Sequence, residues 1–225
     1  MIKKKIFIAC DTNRISKIKK IIKHTKTNKL NISYKFGLEF WNSKKGREFI
    51  SKLKNKNIFA DLKLLDIPNT CKATVNSIKD LKNINYLSVH TTGGLEMLKA
   101  VKSVSGKIKI LGVTTLTSLN NKDLKKIGYN KNIKQITMHL SKLAKAAKLD
   151  GIICSAHEAK FLKKICKGME IITPGIRLKG DNSQDQKRIA SPKYAFYNGA
   201  TGIVIGRSIT KGNIKKNLKI LIDHL

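Results

Sequence analysis

Eight short apolar runs recur along the chain at nearly even intervals, and this spacing constrains the fold more than any other feature. Most of the runs are rich in Ile and Val and apolar on both faces, as expected for strands of a parallel sheet that is buried on both sides. The 225 residues leave about 28 residues per run, which is the length of one strand–helix repeat. The runs cover residues 5–10, 32–37, 58–64, 86–90, 108–114, 151–156, 170–175 and 202–206.

The segments between the runs carry the pattern of amphipathic helices. Apolar residues recur there at helical spacing, at Ile15, Ile18 and Ile22 and again at Ile133, Ile136, Leu140 and Leu143. The chain has three prolines, and no linker rich in Pro, Gly or Ser divides it. We therefore predict an α/β chain that forms one (β/α)₈ TIM barrel, a single domain over residues 1–225. An open doubly wound sheet built from the same elements is the alternative.

The chain carries no pattern typical of a membrane or secreted protein. Its apolar runs are too short to span a bilayer. The start, "MIKKKIFIACD", reaches Asp11 before any long apolar stretch, so it does not resemble a signal peptide. The four cysteines form no CxxC pair, which favours reduced and mostly buried thiols. The five histidines form no HxxxH or HExxH motif. We expect a cytoplasmic protein with no membrane partner and no metal site.

The charge of the chain suggests a different class of function. It has 47 Lys and Arg against 14 Asp and Glu, a formal net charge of +33, and a basic protein can bind nucleic acid. However, the lysines are spread along the whole chain, and aromatic residues, which would stack on bases, make up only 6%. Compositional drift in an AT-rich genome explains the charge better. We expect no specific nucleic-acid partner, although weak binding to polyanions would follow.

Polar residues stand at the ends of the predicted strands, where a buried sheet should be apolar. Active sites of such barrels lie at the carboxyl ends of the strands, so these residues are candidate site residues. They are Asp11, Lys35, Asp61, Lys63, Asp66, His90, Thr117, Ser155, Arg177, Gly206 and Arg207.

The third run and its continuation, "FADLKLLDIPNT", concentrate this signal. Side chains alternate along a strand, so Asp61 and Lys63 should point the same way, about 7 Å apart along the backbone. Lys35 on the neighbouring strand could supply a second cation, and Asp66 lies past the strand, before Pro68. Carboxylates hold a neighbouring lysine in its ammonium form. The arrangement fits either a positioned acid or an ion-pair network that only stabilises the barrel.

"DLKLLDIPNT" resembles the active-site signature of the orotidine 5′-phosphate decarboxylases. The similarity extends in order to "ACD", "YKFGLEFW", "VHTTGG", "VTTLTS", "CSAHEA", "TPGIR" and "GIVIGRSIT", which together run from residue 6 to about 210. The chain departs from the family at Leu65, where many relatives have histidine. The loop "LKGDNSQDQKR" also varies, but it keeps Gln186.

The resemblance implies a decarboxylation of orotidine 5′-monophosphate to uridine 5′-monophosphate and CO₂, the last step of UMP synthesis, without a cofactor. Loss of CO₂ from C6 leaves a poorly delocalised carbanion, which the enzyme must stabilise. By resemblance, Lys63 stabilises this carbanion and delivers the proton, while Asp61 lies near the departing carboxylate and holds Lys63. Lys35 orients Asp61 and, with Asp11, binds the ribose hydroxyls.

The resemblance also implies roles at the other parts of the substrate. Thr117 would contact the pyrimidine, and Gly206 and Arg207 would bind the phosphate through backbone N–H groups and a guanidinium. Without the resemblance, Gly206 and Arg207 could be an ordinary turn with a surface arginine. Arg177 and Gln186 lie on the long loop that closes over the phosphate in the family. Asp66 and Thr70 would enter the partner's site in a homodimer with shared active sites.

One competing function belongs to the same barrel family. The keto-gulonate 6-phosphate decarboxylases and hexulose-phosphate synthases share the DxKxxD arrangement but use magnesium, with a glutamate expected near the position of Lys35. A lysine there, together with "DIPNT" and "TPGIR", argues against them. The competing function of another class is a basic nucleic-acid-binding protein, whose binding to DNA should survive moderate salt.

Overall fold

The computed structural model describes residues 3–178, 180–181 and 188–225, and in it the strands form a closed parallel barrel. The barrel order is the chain order, and the last strand pairs with the first. The strands are Lys5–Ala9 (β1), Asn31–Gly37 (β2), Ile58–Leu64 (β3), Ile84–His90 (β4), Lys109–Val113 (β5), Gly151–Ile153 (β6), Glu170–Thr173 (β7) and Gly202–Ile205 (β8). The prediction of a (β/α)₈ barrel is thus confirmed, and the open sheet is excluded.

Helices follow each strand, with additional short ones on some connections. They are Ile15–His24 (α1), Leu38–Trp41 (α2), Gly46–Ser51 (α3), Pro68–Ile78 (α4), Gly94–Ser103 (α5), Asn121–Lys126 (α6), Ile133–Ala146 (α7), Ala156–Ile165 (α8), Pro192–Tyr197 (α9), Arg207–Thr210 (α10) and Ile214–Asp223 (α11). Within the described part of the chain, no helix combines the length and the apolar character needed to cross a membrane.

Several strands are shorter than the apolar runs that predicted them, and β6 and β7 show why. β6 ends at Ile153 because Ser155 is the N-cap of α8, where Ser155 and Glu158 form a reciprocal capping box. β7 ends at Thr173, directly before Pro174, which has no backbone N–H to donate to a neighbouring strand. Pro68 has the opposite effect on local structure, since it occupies the first turn of α4 and begins that helix.

The barrel has an apolar core of its own beneath its carboxyl end. Phe7, Phe59 and Tyr86 meet there edge to face, with the ring of Phe7 lying 5.3 Å from Phe59 and 5.0 Å from Tyr86, centroid to centroid. Further apolar side chains from β5 to β8 complete this cluster. A second and larger apolar layer lies between the strands and the surrounding helices. The interior is therefore filled, and the space left open lies at the mouth of the barrel.

Candidate active site

A cavity of about 500 Å³ opens at the carboxyl ends of the strands. This volume is within the range of about 300–1,000 Å³ that is usual for small-molecule sites. Phe59 contributes to its lining and also belongs to the apolar cluster of the barrel interior. Eight of the residues selected from the sequence line the cavity: Asp11, Lys35, Asp61, Lys63, Thr117, Arg177, Gly206 and Arg207.

Four of these side chains form a row of alternating charge across β1, β2 and β3. The Lys35 ammonium lies 3.0 Å from Oδ1 of Asp11 and 3.0 Å from Oδ2 of Asp61. The Lys63 ammonium lies 2.8 Å from the same Oδ2 of Asp61. Two ammonium groups therefore converge on one carboxylate oxygen. The lysine–aspartate pairing expected from the sequence is present and includes Lys35.

Burial strengthens the electrostatic interactions at the centre of this row. The side chains of Lys35 and Asp61 are only 10% and 8% exposed. Burial would lower the pKa of Lys35, but the carboxylates of Asp61 and Asp11 outweigh it and raise that pKa above its ordinary value. Burial would raise the pKa of Asp61, but Lys35, Lys63 and a hydrogen bond from Ser88 lower it to about 2. At neutral pH the site therefore contains a fixed carboxylate between two cations.

The path of β3 at Lys63 differs from the regular alternation assumed in the sequence analysis. Lys63 has φ of 48°, in the left-handed region, and the register between β3 and β4 shifts between Ala60 and Leu64. Such a backbone conformation is uncommon for a residue with a side chain and costs about 1–3 kcal/mol. It nevertheless brings the ammonium of Lys63 onto Asp61. The shared direction of the two side chains was correctly predicted, although the strand that produces it is irregular.

Ser88 on β4 stabilises this irregular segment. Its hydroxyl donates to Oδ1 of Asp61 over 2.8 Å and accepts the backbone N–H of Lys63 over 2.9 Å. Ser88 is fully buried. The sequence pattern alone did not single out Ser88 as a site residue. The available signal was a lone hydroxyl in the apolar run "YLSVH", on the strand next to "FADLKLL", but a buried serine has many ordinary explanations.

Residues after β7 and β8 supply positive charge on another side of the cavity. Gly206 is the N-cap of α10, and Arg207 begins that helix. Arg177 is buried at the stem of the connection between β7 and α9, where its Nη1 donates to the carbonyl of Ile176 over 3.0 Å. Gly206, Arg207 and Arg177 all line the cavity. A backbone N–H group at a helix start and two guanidinium groups are a suitable set for a phosphate.

The loop after β5 forms a further wall. Thr115, Leu116, Thr117 and Ser118 line the cavity, and Thr117 is buried. The hydroxyl of Thr115 lies 3.0 Å from that of Thr137 on α7. Hydroxyl and backbone groups on this wall can form hydrogen bonds with the polar edge of a ring.

Four of the described candidate residues do not line this cavity: Asp66, Thr70, His90 and Ser155. Ser155 is instead the N-cap of α8. Asp66 and Thr70 are exposed. The carboxylate of Asp66 accepts the backbone N–H of Ile67 over 2.7 Å, just before α4. Gln186 lies outside the described residues. Among the described residues, no group of three or more His, Cys, Asp or Glu side chains is arranged to hold a metal ion.

Comparison with known proteins points to one family. The family model described as "Orotidine 5′-phosphate decarboxylase / HUMPS family" matches residues 4–217. An orotidine 5′-phosphate decarboxylase from Wolbachia pipientis subsp. Culex pipiens is 47% identical over 184 residues, 80% of each chain. One from Prochlorococcus marinus is 41% identical over 221 residues, 92% of this chain and 89% of that protein. The crystal structure of orotidine 5′-phosphate decarboxylase from Lactobacillus acidophilus matches with a TM-score of 0.83, at 30% identity over 99% of both chains.

Proposed function

The chain belongs to the orotidine 5′-phosphate decarboxylase / HUMPS family, and we propose from its site that it decarboxylates orotidine 5′-monophosphate to uridine 5′-monophosphate and CO₂ without a cofactor. The activity follows from relatives that bear the decarboxylase name at 41–47% identity over most of both chains. It is the last step of UMP biosynthesis. The observation that carries the residue assignments is the row Asp11–Lys35–Asp61–Lys63 at the mouth of the barrel, with Lys35 and Asp61 buried at its centre.

The reaction needs a cation beside C6 of the pyrimidine. The bond between C6 and the carboxylate carbon breaks, its electron pair stays on C6, and CO₂ leaves. We assign to Lys63 the ammonium that stabilises this pair and then transfers a proton to C6. The neutral amine left behind regains a proton from water. A fixed ammonium next to the developing charge acts without rearrangement of solvent, which is the most effective form of electrostatic catalysis.

Asp61 and Lys35 act on the position of Lys63. Asp61 is a carboxylate at every physiological pH because its pKa is about 2, and it lies 2.8 Å from the Lys63 ammonium. Lys35 contacts the same oxygen of Asp61 from β2. Lys35 therefore fixes the carboxylate of Asp61, and that carboxylate in turn fixes the ammonium of Lys63. Asp61 would also lie near the substrate carboxylate, but its positioning role does not depend on repulsion between the two carboxylates.

The remaining cavity groups suit the other parts of the nucleotide. We assign the ribose hydroxyls to Asp11 and Lys35, and the pyrimidine edge to Thr117. We assign the phosphate to Gly206, Arg207 and Arg177. Gln186, which like Arg177 follows β7 in the sequence, is a further candidate. These assignments are supported by the position of β8 next to β1 in the closed barrel, which makes the phosphate and ribose groups neighbours.

Lys35 also distinguishes the nucleotide decarboxylases of this family from its magnesium-dependent members. The magnesium-dependent relatives are expected to carry a glutamate near this position. Here an ammonium lies between two carboxylates, 3.0 Å from each. A positive charge is already present where those relatives would need a negative ligand. The decarboxylation of the nucleotide is therefore the activity that we assign.

We further propose a homodimer in which Asp66 and Thr70 complete the site of the partner subunit. In support, Leu65 and Ile67, which flank Asp66, are 57% and 66% exposed. Exposed apolar side chains of this size, next to a polar residue with no place in its own cavity, are typical of an interface. Asp66 would reach across that interface to the ribose of the neighbouring site.

We also propose a compartment and a domain organisation for this chain. All four cysteines are free and buried, which is usual in the reducing cytoplasm, and we propose that location. Residues 1–225 are proposed to be a single domain; its last helix, α11, packs beside α1.

A direct assay tests the proposed activity. Purified protein is mixed with orotidine 5′-monophosphate, and the loss of the orotate chromophore and the release of CO₂ are followed. We expect stoichiometric formation of uridine 5′-monophosphate. Absence of turnover by folded protein would refute the assignment.

A further inference from the structure

Arg188 forms a buried ion pair that none of the site assignments above uses. Its guanidinium pairs with the carboxylate of Glu158 on α8, and the two side chains are only 14% and 5% exposed. Its Nη2 also donates to the carbonyl of Leu116 over 3.0 Å and to that of Thr115 over 3.4 Å. A buried charge is costly unless it is paired and hydrogen-bonded; both Nη groups of Arg188 have such partners, whereas its buried Nε has none in the described structure. The position of this guanidinium is therefore strongly determined by its surroundings.

The pair joins the connections that follow three neighbouring strands. Glu158 belongs to the connection after β6, where its Oε2 accepts the backbone N–H of Ser155 over 3.0 Å. Leu116 belongs to the connection after β5. Arg188 belongs to the connection after β7, next to Ile189, whose carbonyl lies 3.0 Å from Nε2 of His157.

The same stem carries Arg177. The backbone N–H of Arg177 donates to the carbonyl of Ala190 over 2.9 Å, and that of Ala190 donates to the carbonyl of Gly175 over 3.1 Å. The segment with Arg188 is thus hydrogen-bonded to the segment with Arg177. On its other side, the guanidinium holds the two carbonyls directly before Thr117.

We propose that Arg188, held by Glu158, is a positioning residue. It sets the distance between the loop after β5 that carries Thr117, assigned to the pyrimidine, and the start of the connection after β7 that carries Arg177, assigned to the phosphate. This inference rests on the proposed function. Arg188 is not one of the described residues that line the cavity. It therefore acts through the carbonyls and the loop segments that it contacts. The planar fork of a guanidinium can meet a carboxylate and two carbonyls at once, whereas the ammonium of a lysine is a single point of charge.

The test compares Arg188→Lys with wild type for kcat, KM and the dissociation constant of uridine 5′-monophosphate. The substitution keeps the charge opposite Glu158, so we expect a folded protein. We expect KM and the dissociation constant to rise about tenfold or more, because small displacements of binding groups are costly. The value of kcat should change by less than about threefold, because Lys63 and Asp61 are held separately. A Glu158→Gln/Arg188→Gln double variant, which leaves no unpaired charge, should show the same rise.

Arg47 provides a matched control. Its Nη2 also contacts an aspartate, Asp80, and a backbone carbonyl, that of Ser77, each over 2.7 Å, but on the protein surface. Arg47→Lys should leave KM and kcat unchanged. A double-mutant cycle with Thr117→Val should give non-additive effects on kcat/KM, because Arg188 is expected to act through that wall.

The outcomes separate this inference from the proposed function. Absence of decarboxylation by the wild type would refute the function, whatever Arg188 does. If the wild type is active and Arg188→Lys has KM and kcat values within about twofold of the wild-type values, the positioning role is overturned. A lower melting temperature with unchanged KM and nucleotide affinity would also overturn it, since it would mean that the pair only stabilises the fold.

Discussion

The backbone N–H of Lys63 donates a 2.9 Å hydrogen bond to the hydroxyl of Ser88, on the neighbouring strand. The same hydroxyl donates to Asp61 over 2.8 Å. One small side chain therefore fixes both the left-handed backbone of the lysine and the carboxylate that binds its ammonium. We therefore expect the geometry of the site to depend on this uncharged side chain as well as on the charged residues.

Replacing Ser88 with Ala should weaken both stability and turnover. The change leaves the Lys63 N–H and one oxygen of Asp61 without this partner, and an unsatisfied buried polar group costs about 1–3 kcal/mol. We expect a comparable fall in the free energy of unfolding, measured with denaturant, and a fall in kcat of about tenfold or more. Ser105, which is buried and donates to the carbonyl of Lys102 over 3.0 Å, gives the control. Ser105→Ala should lose stability without loss of kcat; equal kcat in both variants would contradict the role of Ser88.

Replacing Lys63 with Ala should nearly abolish decarboxylation in a folded protein. The variant loses the cation that stabilises the carbanion and the acid that protonates it, so kcat should fall by about 10³-fold or more. The purified variant is assayed for turnover, and circular dichroism checks its fold. Lys99→Ala, which removes an exposed lysine paired with Glu96 on α5, should be fully active. Near-normal kcat in Lys63→Ala would remove the central assignment.

Acid should weaken the contribution of Asp61 to stability. Its pKa falls from an ordinary 3.8 to about 2 in the folded protein, so the folded state binds fewer protons than the unfolded state between these values. The resulting stabilisation is complete above about pH 5 and is lost as the pH falls toward 2. The free energy of unfolding should therefore differ most between wild type and Asp61→Asn at neutral pH. The gap should narrow by about 2 kcal/mol as the medium is acidified.

The control for this pH series is Asp80→Asn. Asp80 forms an exposed pair with Arg47, and such pairs contribute little stability at neutral pH. A gap between wild type and Asp61→Asn that stays constant from pH 7 down to pH 3 would show that Asp61 gains nothing from its two lysines.

Chelation should leave the activity unchanged. The positive charge at the reacting carbon is assigned to Lys63, and Lys35 takes the place where magnesium-dependent relatives are expected to have a glutamate. The assay is run after dialysis against EDTA, then with added magnesium. Activity that is lost on chelation and restored by magnesium would place the chain in the other branch of the family.

The sequence predicted the barrel and most of the cavity for simple reasons. Apolar runs are visible in any buried parallel sheet, and polar residues at their ends stand out, as Lys35 and Arg177 did. The left-handed conformation of Lys63 was not predictable, because strand alternation assumes a regular pleat. Ser88 and Arg188 were missed because their importance comes from partners on other strands and loops. A lone serine in an apolar run has many ordinary explanations, and an arginine in a lysine-rich chain does not stand out.

Shared active sites predict that two inactive variants can restore activity in a mixture. Lys63→Ala lacks the proton donor, and Asp66→Ala lacks the group that we assign to the partner's ribose site. In a hybrid dimer, one site combines the wild-type Lys63 of one subunit with the wild-type Asp66 of the other, while the second site carries both defects. Random exchange makes half of the dimers hybrid, so activity should approach about a quarter of wild type by two-fold symmetry.

A matched mixture shows whether such recovery depends on sharing. Lys35 and Lys63 contact the same carboxylate within one chain, so each hybrid site of a Lys35→Ala and Lys63→Ala mixture contains one defect. That mixture should stay inactive under the same exchange conditions. Differently tagged subunits, purified over both tags, prove that hybrids have formed. Hybrids of Lys63→Ala with Asp66→Ala that remain inactive would mean that Asp66 serves its own subunit, because a site completed across the interface must then have been present and failed.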